Sequence, residues 1–210
     1  GKSVLIKALA GVFQPAQGKI LIEGENWVDL ESEDKHKLAK KLGMLFQQGA
    51  LFDQMSALEN VKFPLIEHHF LEGEELEKHS LNLLDQVNLL DAKDKMPNEL
   101  SGGMQRRLGI ARALALNPRI IFYDDPVAGQ DPMQSDQILN LIQSFKDRNQ
   151  STVIMVTSNM RVAMKMADRI FMVIDGGVME TGTPEQTKSH PDPRVQQFIH
   201  GKTEGPIKIK

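Results

Sequence analysis

The 210-residue chain contains no cysteine, one tryptophan and one tyrosine, and its formal net charge is only −3. Without cysteine there is neither a disulfide framework nor a thiolate metal site, so a reducing compartment is compatible with the composition. The small net charge does not favour nucleic acid as a partner. No apolar run approaches the roughly 18 residues of a membrane span, so we expect any membrane role to come through partners. With 40% hydrophobic residues, the chain is predicted to form one globular domain with room for a subdomain.

Residues 100–131 carry the most informative pattern, a helix followed by a buried strand. Ser101 is a good N-cap, and Gly102 and Gly103 leave the start of the helix open to close approach by another molecule. Free backbone N–H groups and the helix dipole both favour a phosphate at such a helix start. After Pro118, the short apolar run 119–123 predicts a central strand.

Asp124 and Asp125 stand at the carboxyl end of that strand. Ligands bind at this end of the strands in open α/β sheets, where a carboxylate pair can hold a hydrated metal ion and orient a water. A strand that simply ends in a polar turn is the alternative, and the pair alone does not decide between the two. The ordered series LSGG, an arginine-containing helix, the apolar strand, DDP and Asp131 favours the functional interpretation.

With these motifs the chain resembles the ATP-binding subunits of ABC transporters. LSGGM at 100–104 is similar to the ABC signature, IIFYD at 120–124 to the Walker B strand, and AGQD at 128–131 to the D-loop. The resemblance implies an α/β fold of the P-loop NTPase class, of the ABC ATPase type, with a RecA-like core and an inserted helical subdomain. It also implies ATP and Mg²⁺ as ligands. The implied roles are nucleotide contact for Ser101, Gly102 and Gly103, metal binding for Asp124 and coupling of two sites for Asp131.

Gly1, Lys2 and Ser3 open the chain and precede an apolar helix that is predicted to stop at Gly11. G-K-S at a helix start is the end of a phosphate-binding loop, in which the lysine reaches the β/γ-phosphates and the hydroxyl binds Mg²⁺. Chance would produce the tripeptide in roughly one of ten chains this long, but its place upstream of LSGG and DD is the order found in ABC ATPases. The earlier part of the loop, the strands before it and the adenine-stacking aromatic residue are missing here. We therefore expect an N-terminally incomplete ATPase domain.

The segment 49–61 resembles the Q-loop of the family, and a strand predicted at 42–46 leads into it. The resemblance implies that Gln47 touches Mg²⁺ and the attacking water, whereas the adjacent Gln48 receives no role.

A helical subdomain is predicted at about 50–100. Ser56 and Glu59 form a capping-box pattern, and the spacing of apolar residues that follows is helical and amphipathic to about residue 98. In the family this subdomain receives a membrane subunit, so Phe52 and the segment 50–64 are candidates for that contact. Ordinary subdomain core is the alternative for each apolar residue.

Two positions depart from the family pattern. Asp125 stands where ABC ATPases have the catalytic glutamate, and Ser158 stands where they have the switch histidine. A general base must lie within about 2.6–3.2 Å of the water, aspartate is one methylene shorter than glutamate, and serine does not reach as far as an imidazole. Because one lost transition-state contact costs on the order of 10²–10³ in rate, we predict that closure on nucleotide is retained better than turnover. Slow hydrolysis through a slight backbone shift of Asp125 is the alternative.

The C-terminal part is predicted to form a hairpin within 167–186 that turns at 175–177. DPRVQQF at 192–198 is similar to the carboxyl end of the ATPases in Mla-type phospholipid-trafficking transporters, and ELSGGMQRR at 99–107 leans the same way. This resemblance implies a head-to-tail homodimer under a membrane permease, at the cytoplasmic face of the bacterial inner membrane. An MCE-domain lipid-binding protein and a STAS-domain regulator are further implied partners. Residues 202–210 are expected to form a mobile basic tail.

The sequence therefore predicts the ATP-binding subunit of a lipid-moving ABC transporter, with Gln47, Asp125 and Ser158 at the catalytic positions and Ser3, Gln47 and Asp124 at Mg²⁺. Two other functions stay open. One is a regulatory pseudo-ATPase that dimerises on ATP without useful turnover, and the other is an ABC ATPase outside transport. Whether the chain pairs with itself or with a paralogue also stays open.

Overall fold

The computed structural model describes residues 1–47 and 49–208. Within this part of the chain the α-helices are Lys2–Leu9 (α1), Ser32–Ala39 (α2), Ala57–Glu67 (α3), Gly73–Gln86 (α4), Gly102–Leu114 (α5), Pro132–Asn149 (α6), Met160–Met166 (α7), Pro184–Lys188 (α8) and Pro193–Ile199 (α9). The strands are Leu21–Ile22 (β1), Glu25–Asn26 (β2), Leu42–Leu45 (β3), Ile120–Asp124 (β4), Thr152–Val156 (β5), Ile170–Ile174 (β6) and Gly177–Gly182 (β7). No described helix is long and apolar enough to cross a bilayer.

The chain forms two compact units. The larger unit, Ser3–Val156, contains a parallel sheet with the strand order β3-β4-β5. The smaller unit combines residues 1–2 with the chain from Thr157 onward and contains the antiparallel β6–β7 pair. The predicted hairpin is confirmed, since Asp175 and Gly176 adopt the left-handed φ values of 50° and 78° that a tight two-residue turn requires.

Most predicted elements of the larger unit are present with small shifts of their ends. The strands predicted at 42–46 and 119–123 run over Leu42–Leu45 and Ile120–Asp124. Asp131 caps the helix α6, which begins at Pro132 and continues to Asn149. It ends there because Gln150 adopts a left-handed φ of 50°.

The helical subdomain is less continuous than predicted. The α-helix α4 ends at Gln86, and Asn88 turns the chain with a left-handed φ of 55°. Only short 3₁₀ segments, Leu90–Ala92 and Pro97–Glu99, follow before α5. The prediction of helix to about residue 98 is therefore wrong after α4, although the apolar side chains of Leu89 and Ala92 are still buried.

Gly11 closes α1 and lies directly against the single tryptophan. A Cβ at Gly11 would lie 2.0 Å from Cζ2 of Trp27, and the residue has a φ of +77°. Trp27 itself is only 7% exposed and packs in a small core with Ile22 and Leu38. Only glycine meets both demands at this helix end, because it has no side chain and tolerates positive φ.

Gly43 allows α5 to pack closely on β3. A Cβ at Gly43 would lie 2.4 Å from the carbonyl oxygen of Ala113, a backbone atom, and 2.9 Å from Cγ of Pro118. At Gly109, by contrast, a Cβ would meet only the end of the Leu45 side chain within 3.4 Å, at 2.6 Å from Cδ1. A side chain at Gly43 would therefore collide with backbone, whereas one at Gly109 would collide only with a side chain that can move.

We expect Gly43→Ala to lower the free energy of unfolding by about 2–3 kcal/mol, because backbone atoms must move to admit the methyl group. Gly109→Ala should be nearly neutral, because alanine favours the helix by about 1 kcal/mol and the end of Leu45 can rotate away. Urea denaturation of the two variants checks this. A Gly43→Ala protein as stable as the wild type would contradict the close packing.

The C-terminal segment is tied to α9 rather than free of it. The Gln197 side chain accepts a hydrogen bond from the backbone N–H of Ile207 at 2.7 Å and donates to the Ile207 carbonyl at 3.0 Å. The segment expected to form a mobile basic tail is therefore hydrogen-bonded to α9 as far as Ile207. The buried Gln197 amide pairs with both backbone groups of Ile207, as a neighbouring strand would. The composition of the segment does not reveal this pairing.

Candidate functional site: a hydroxyl and a carboxylate at the sheet edge

Ser3 and Asp124 meet at the carboxyl edge of the parallel sheet. The Ser3 hydroxyl donates a hydrogen bond of 2.8 Å to Oδ1 of Asp124, across 121 positions of sequence. Asp124 is 1% exposed, and its Oδ2 has no hydrogen-bond partner among the described residues. A buried carboxylate oxygen beside a hydroxyl is a donor set that suits Mg²⁺, which prefers hard oxygen ligands. Ser3 and Asp124 therefore fit the predicted metal position.

The strand β4 holds Asp124 in a dry environment. Ile121, Phe122 and Tyr123 are buried, and the last register pair of β4 with β5 joins Asp124 to Val156. The Tyr123 hydroxyl is also buried without a hydrogen-bond partner in the described part of the chain, and burial raises the pKa of this phenol. Charges at the end of such a strand are poorly screened by water.

Asp125 has an unusual backbone conformation for the predicted catalytic position. Its φ is 45°, and its N–H donates a 2.9 Å hydrogen bond to the carbonyl of Val156. Aspartate and asparagine enter this left-handed region more readily than other side-chain-bearing residues. The turn that begins here continues with a 3.1 Å hydrogen bond from the Ala128 N–H to the Asp125 carbonyl. The local backbone is thus better suited to the observed aspartate than to a glutamate.

The signature segment and the D-loop lie side by side. Ser101 caps α5 by accepting a 3.3 Å hydrogen bond from the Met104 N–H, and Asp131 caps α6 through the Gln134 N–H at 2.9 Å. A Cβ at Gly103 would lie 2.5 Å from Oε1 of Gln134. Glycine therefore lets the start of α5 approach the start of α6, while Ser101 and Gly102 stay exposed.

Gln47 follows β3 and is exposed. Its backbone carbonyl accepts a hydrogen bond from Nη1 of Arg106, a residue of α5 to which no sequence motif assigns a role. Gln48 lies outside the described residues. The sequence shows that Arg106 follows the LSGG motif on the same helix. It does not show what the arginine binds, because its partner is a backbone carbonyl, a group that every residue has.

Asn60 organises the segment after the Q-loop. Its side chain is fully buried, donates to the carbonyls of Phe52, Met55 and Ser56 at 3.1, 2.9 and 3.0 Å, and accepts from the Phe52 N–H at 2.9 Å. The predicted capping box is present, because the Ser56 and Glu59 side chains each accept the other's N–H. Phe52 stays 39% exposed, and its ring contacts that of Phe63 in a tilted arrangement, with centroids 4.5 Å apart and an interplanar angle of 52°. This aromatic pair lies within the segment 50–64 that is predicted to contact a partner.

Gly1, Lys2 and Ser158 belong to the smaller unit. Lys2 is the first residue of α1, immediately before Ser3. Ser158 is exposed and precedes Asn159, which caps α7 by accepting a 3.0 Å hydrogen bond from the Arg161 N–H. Ser158 is therefore placed on an exposed turn between β5 and α7.

Comparison with known proteins identifies the family. The ABC transporter family description matches residues 1–128, more than half of the chain. This chain belongs to the ABC transporter ATP-binding family. Among the relatives of this chain is the intermembrane phospholipid transport system ATP-binding protein MlaF of Haemophilus influenzae. It is 39% identical over 100% of this chain and 80% of its own length. MlaF of Escherichia coli K12 is 35% identical over 100% of this chain and 78% of its own length.

Solved ABC ATPase structures share the fold. The dimeric post-hydrolysis state of the ATP-binding cassette MJ0796, bound to ADP and Pi, aligns with a TM-score of 0.77 and 34% identity over 86% of this chain and 80% of that one. The CbiO1 subunit of the cbiONQ transporter complex from Clostridium perfringens aligns with a TM-score of 0.80 and 27% identity over 97% of this chain and 78% of that one. The predicted P-loop NTPase fold of the ABC type is thereby confirmed.

Proposed function

We propose that this chain is the ATP-binding subunit of an ABC transporter that moves phospholipid through a partner permease. The assignment as an ATPase is supported by the 2.8 Å hydrogen bond between Ser3 and Asp124. The second carboxylate oxygen of Asp124 is buried and has no hydrogen-bond partner among the described residues. Phospholipid as the transported molecule is supported by the MlaF relatives, which match the whole chain and whose names state phospholipid transport. Two copies face head to tail at the cytoplasmic face of the bacterial inner membrane. An MCE-domain protein and a STAS-domain regulator complete the assembly.

In this proposal each ATP lies between two copies of the chain. Gly1 and Lys2 bind its phosphates, and Ser101, Gly102 and Gly103 of the other copy cover it from the opposite side. Ser3, Gln47 and Asp124 would hold Mg²⁺, which, when bound, neutralises phosphate charge.

The water is oriented by side chains of this chain. Asp125 acts as the general base and Gln47 positions the water, while Ser158 takes the switch position with reduced reach. Asp131 joins the two sites through the paired starts of α5 and α6. Turnover is slower than in a family member with glutamate and histidine at these positions.

A regulatory pseudo-ATPase is the second candidate. It is favoured by Asp125, whose carboxylate is one methylene closer to the backbone than that of a glutamate, and by the exposed Ser158 in place of a histidine. Such a protein would dimerise on ATP without useful hydrolysis.

Steady-state hydrolysis of MgATP by the full-length protein with its permease separates the two candidates. We expect measurable turnover in the wild type and a gain of about 10-fold in Asp125→Glu/Ser158→His. The gain is smaller than the 10²–10³ available from one transition-state contact, because glutamate must adopt the left-handed backbone at 125. Asp125→Asn/Ser158→Ala is the matched control and should be inactive. A wild type that binds ATP but is silent, beside an active Glu/His variant, would replace the transport proposal by the regulatory one.

A further inference from the structure

The helix α5 directs two arginines at the Q-loop backbone. Arg106 is only 8% exposed, and its Nη1 donates to the carbonyls of Phe46, at 3.3 Å, and of Gln47. Its Nη2 reaches the carbonyl of Ala128 at 3.5 Å, in the loop after β4. One guanidinium thus joins the end of β3 to the turn that carries Asp125.

Arg112, six residues further along α5, holds the next part of the same loop. It donates to the carbonyls of Gly49 and Ala50 at 3.1 and 2.8 Å. Both of these residues have left-handed φ values, 76° and 50°. A Cβ at Gly109 would lie 3.6 Å from the Gly49 carbonyl oxygen, so the helix surface between the arginines also touches this loop. The path of the Q-loop is therefore determined by α5.

We propose that Arg106 is a positioning residue that fixes Gln47 relative to Asp124 and Asp125 of its own site, and that α5 thereby links this site to the nucleotide of the other copy. The second half rests on the proposed function, in which Ser101, Gly102 and Gly103 face the other copy's ATP. These residues open the helix whose next turn carries Arg106. A nucleotide that draws the start of α5 toward it would shift Gln47 in the site on the other side of the same helix.

The chemistry of the position requires arginine. The guanidinium is planar and offers several N–H donors, so it can serve two separate backbone segments, whereas a lysine ammonium is a single compact donor group on a flexible stem. Burial lowers the pKa of Arg106, and the Asp125 and Asp124 carboxylates oppose that shift. Arginine remains charged under these conditions because its ordinary pKa lies far above neutral pH.

The adjacent Arg107 provides a matched control. It lies on the same helix, and its Nε donates a 3.0 Å hydrogen bond to the carbonyl of Val87, which belongs to the helical subdomain rather than to the Q-loop. Arg106→Gln and Arg107→Gln therefore remove the same group from neighbouring positions with different backbone targets.

Kinetics of the full-length protein with its permease test the positioning role. In Arg106→Gln we expect kcat to fall about 10- to 100-fold, as for groups that orient metal ligands, with the KM for ATP changed by less than about 3-fold. The Mg²⁺ concentration for half-maximal activity should rise, and Arg106→Lys should restore only part of kcat. Arg107→Gln should stay within about 3-fold of wild type in all three quantities. Unchanged kcat in Arg106→Gln, or an equal loss in Arg107→Gln, would overturn the proposal.

Hydrogen–deuterium exchange gives a readout that does not depend on hydrolysis. Peptides covering 46–52 should exchange faster in Arg106→Gln than in wild type and Arg107→Gln, while peptides from α6 should not change. If the wild type hydrolyses no ATP, the proposed function fails, and the exchange result alone decides the role of Arg106. Equal exchange at 46–52 in all three proteins would refute positioning of the Q-loop by Arg106.

Discussion

Asp124→Asn is expected to lower the rate of ATP hydrolysis on the order of 10²–10³-fold while leaving the fold intact. The substitution keeps the shape of the side chain and an oxygen that can accept the 2.8 Å hydrogen bond from Ser3. It removes the negative charge and turns the second, buried oxygen into an amide group that cannot bind a cation. Loss of activity without loss of structure is therefore the expected result, measured by steady-state hydrolysis and circular dichroism.

Thermal unfolding separates loss of metal binding from general damage. MgADP should raise the unfolding midpoint of the wild type above that in ADP with EDTA, because a ligand that binds only the folded state stabilises it. In Asp124→Asn this difference should vanish. Asp91→Asn, at an exposed position, is the control and should behave as the wild type. A Mg²⁺-dependent rise that persists in Asp124→Asn would show that Asp124 does not bind the metal.

Asn60→Asp is expected to lower the free energy of unfolding by about 3–5 kcal/mol, the range for a buried charge left without compensation. The Asn60 amide group donates to three backbone carbonyls, and a carboxylate would present a negatively charged oxygen to the same three. Only the hydrogen bond from the Phe52 N–H would survive. Urea denaturation measures the loss.

The control is the same substitution on an exposed surface. Asn82 lies on the exposed side of α4, so Asn82→Asp should change the free energy of unfolding by less than about 0.5 kcal/mol. Equal losses in the two variants would mean that the buried network around Asn60 contributes nothing specific.

The parts of the fold that the sequence predicted are those in which neighbouring residues carry the signal. The capping box at Ser56 and Glu59 and the turn at Asp175 and Gly176 depend on residues a few positions apart, and both are present. The break after α4 was missed because the spacing of Leu89 and Leu90 continues an apolar pattern, whereas the left-handed Asn88 ends the helix.

In the candidate site, too, residues that belong to a local motif were predicted and the others were missed. Ser3 and Asp124 were predicted to share a site, because each belongs to a motif with its own chemistry, and their side chains lie in hydrogen-bond contact. Arg106 received no role, since its partners are carbonyl groups of Phe46, Gln47 and Ala128, which every residue type possesses. The left-handed backbone of Asp125 was also missed, because residue type alone only raises the frequency of that conformation.

Because Gly11 lies against Trp27, the intrinsic fluorescence of the protein reports on the end of α1. The chain has a single tryptophan, so its intrinsic emission comes from one place, against the end of the helix that begins with Lys2 and Ser3. Any displacement of α1 along its axis must change the environment of a nearly buried indole ring. Ligand-induced movement at the start of this helix can therefore be followed by stopped-flow fluorescence without an attached dye.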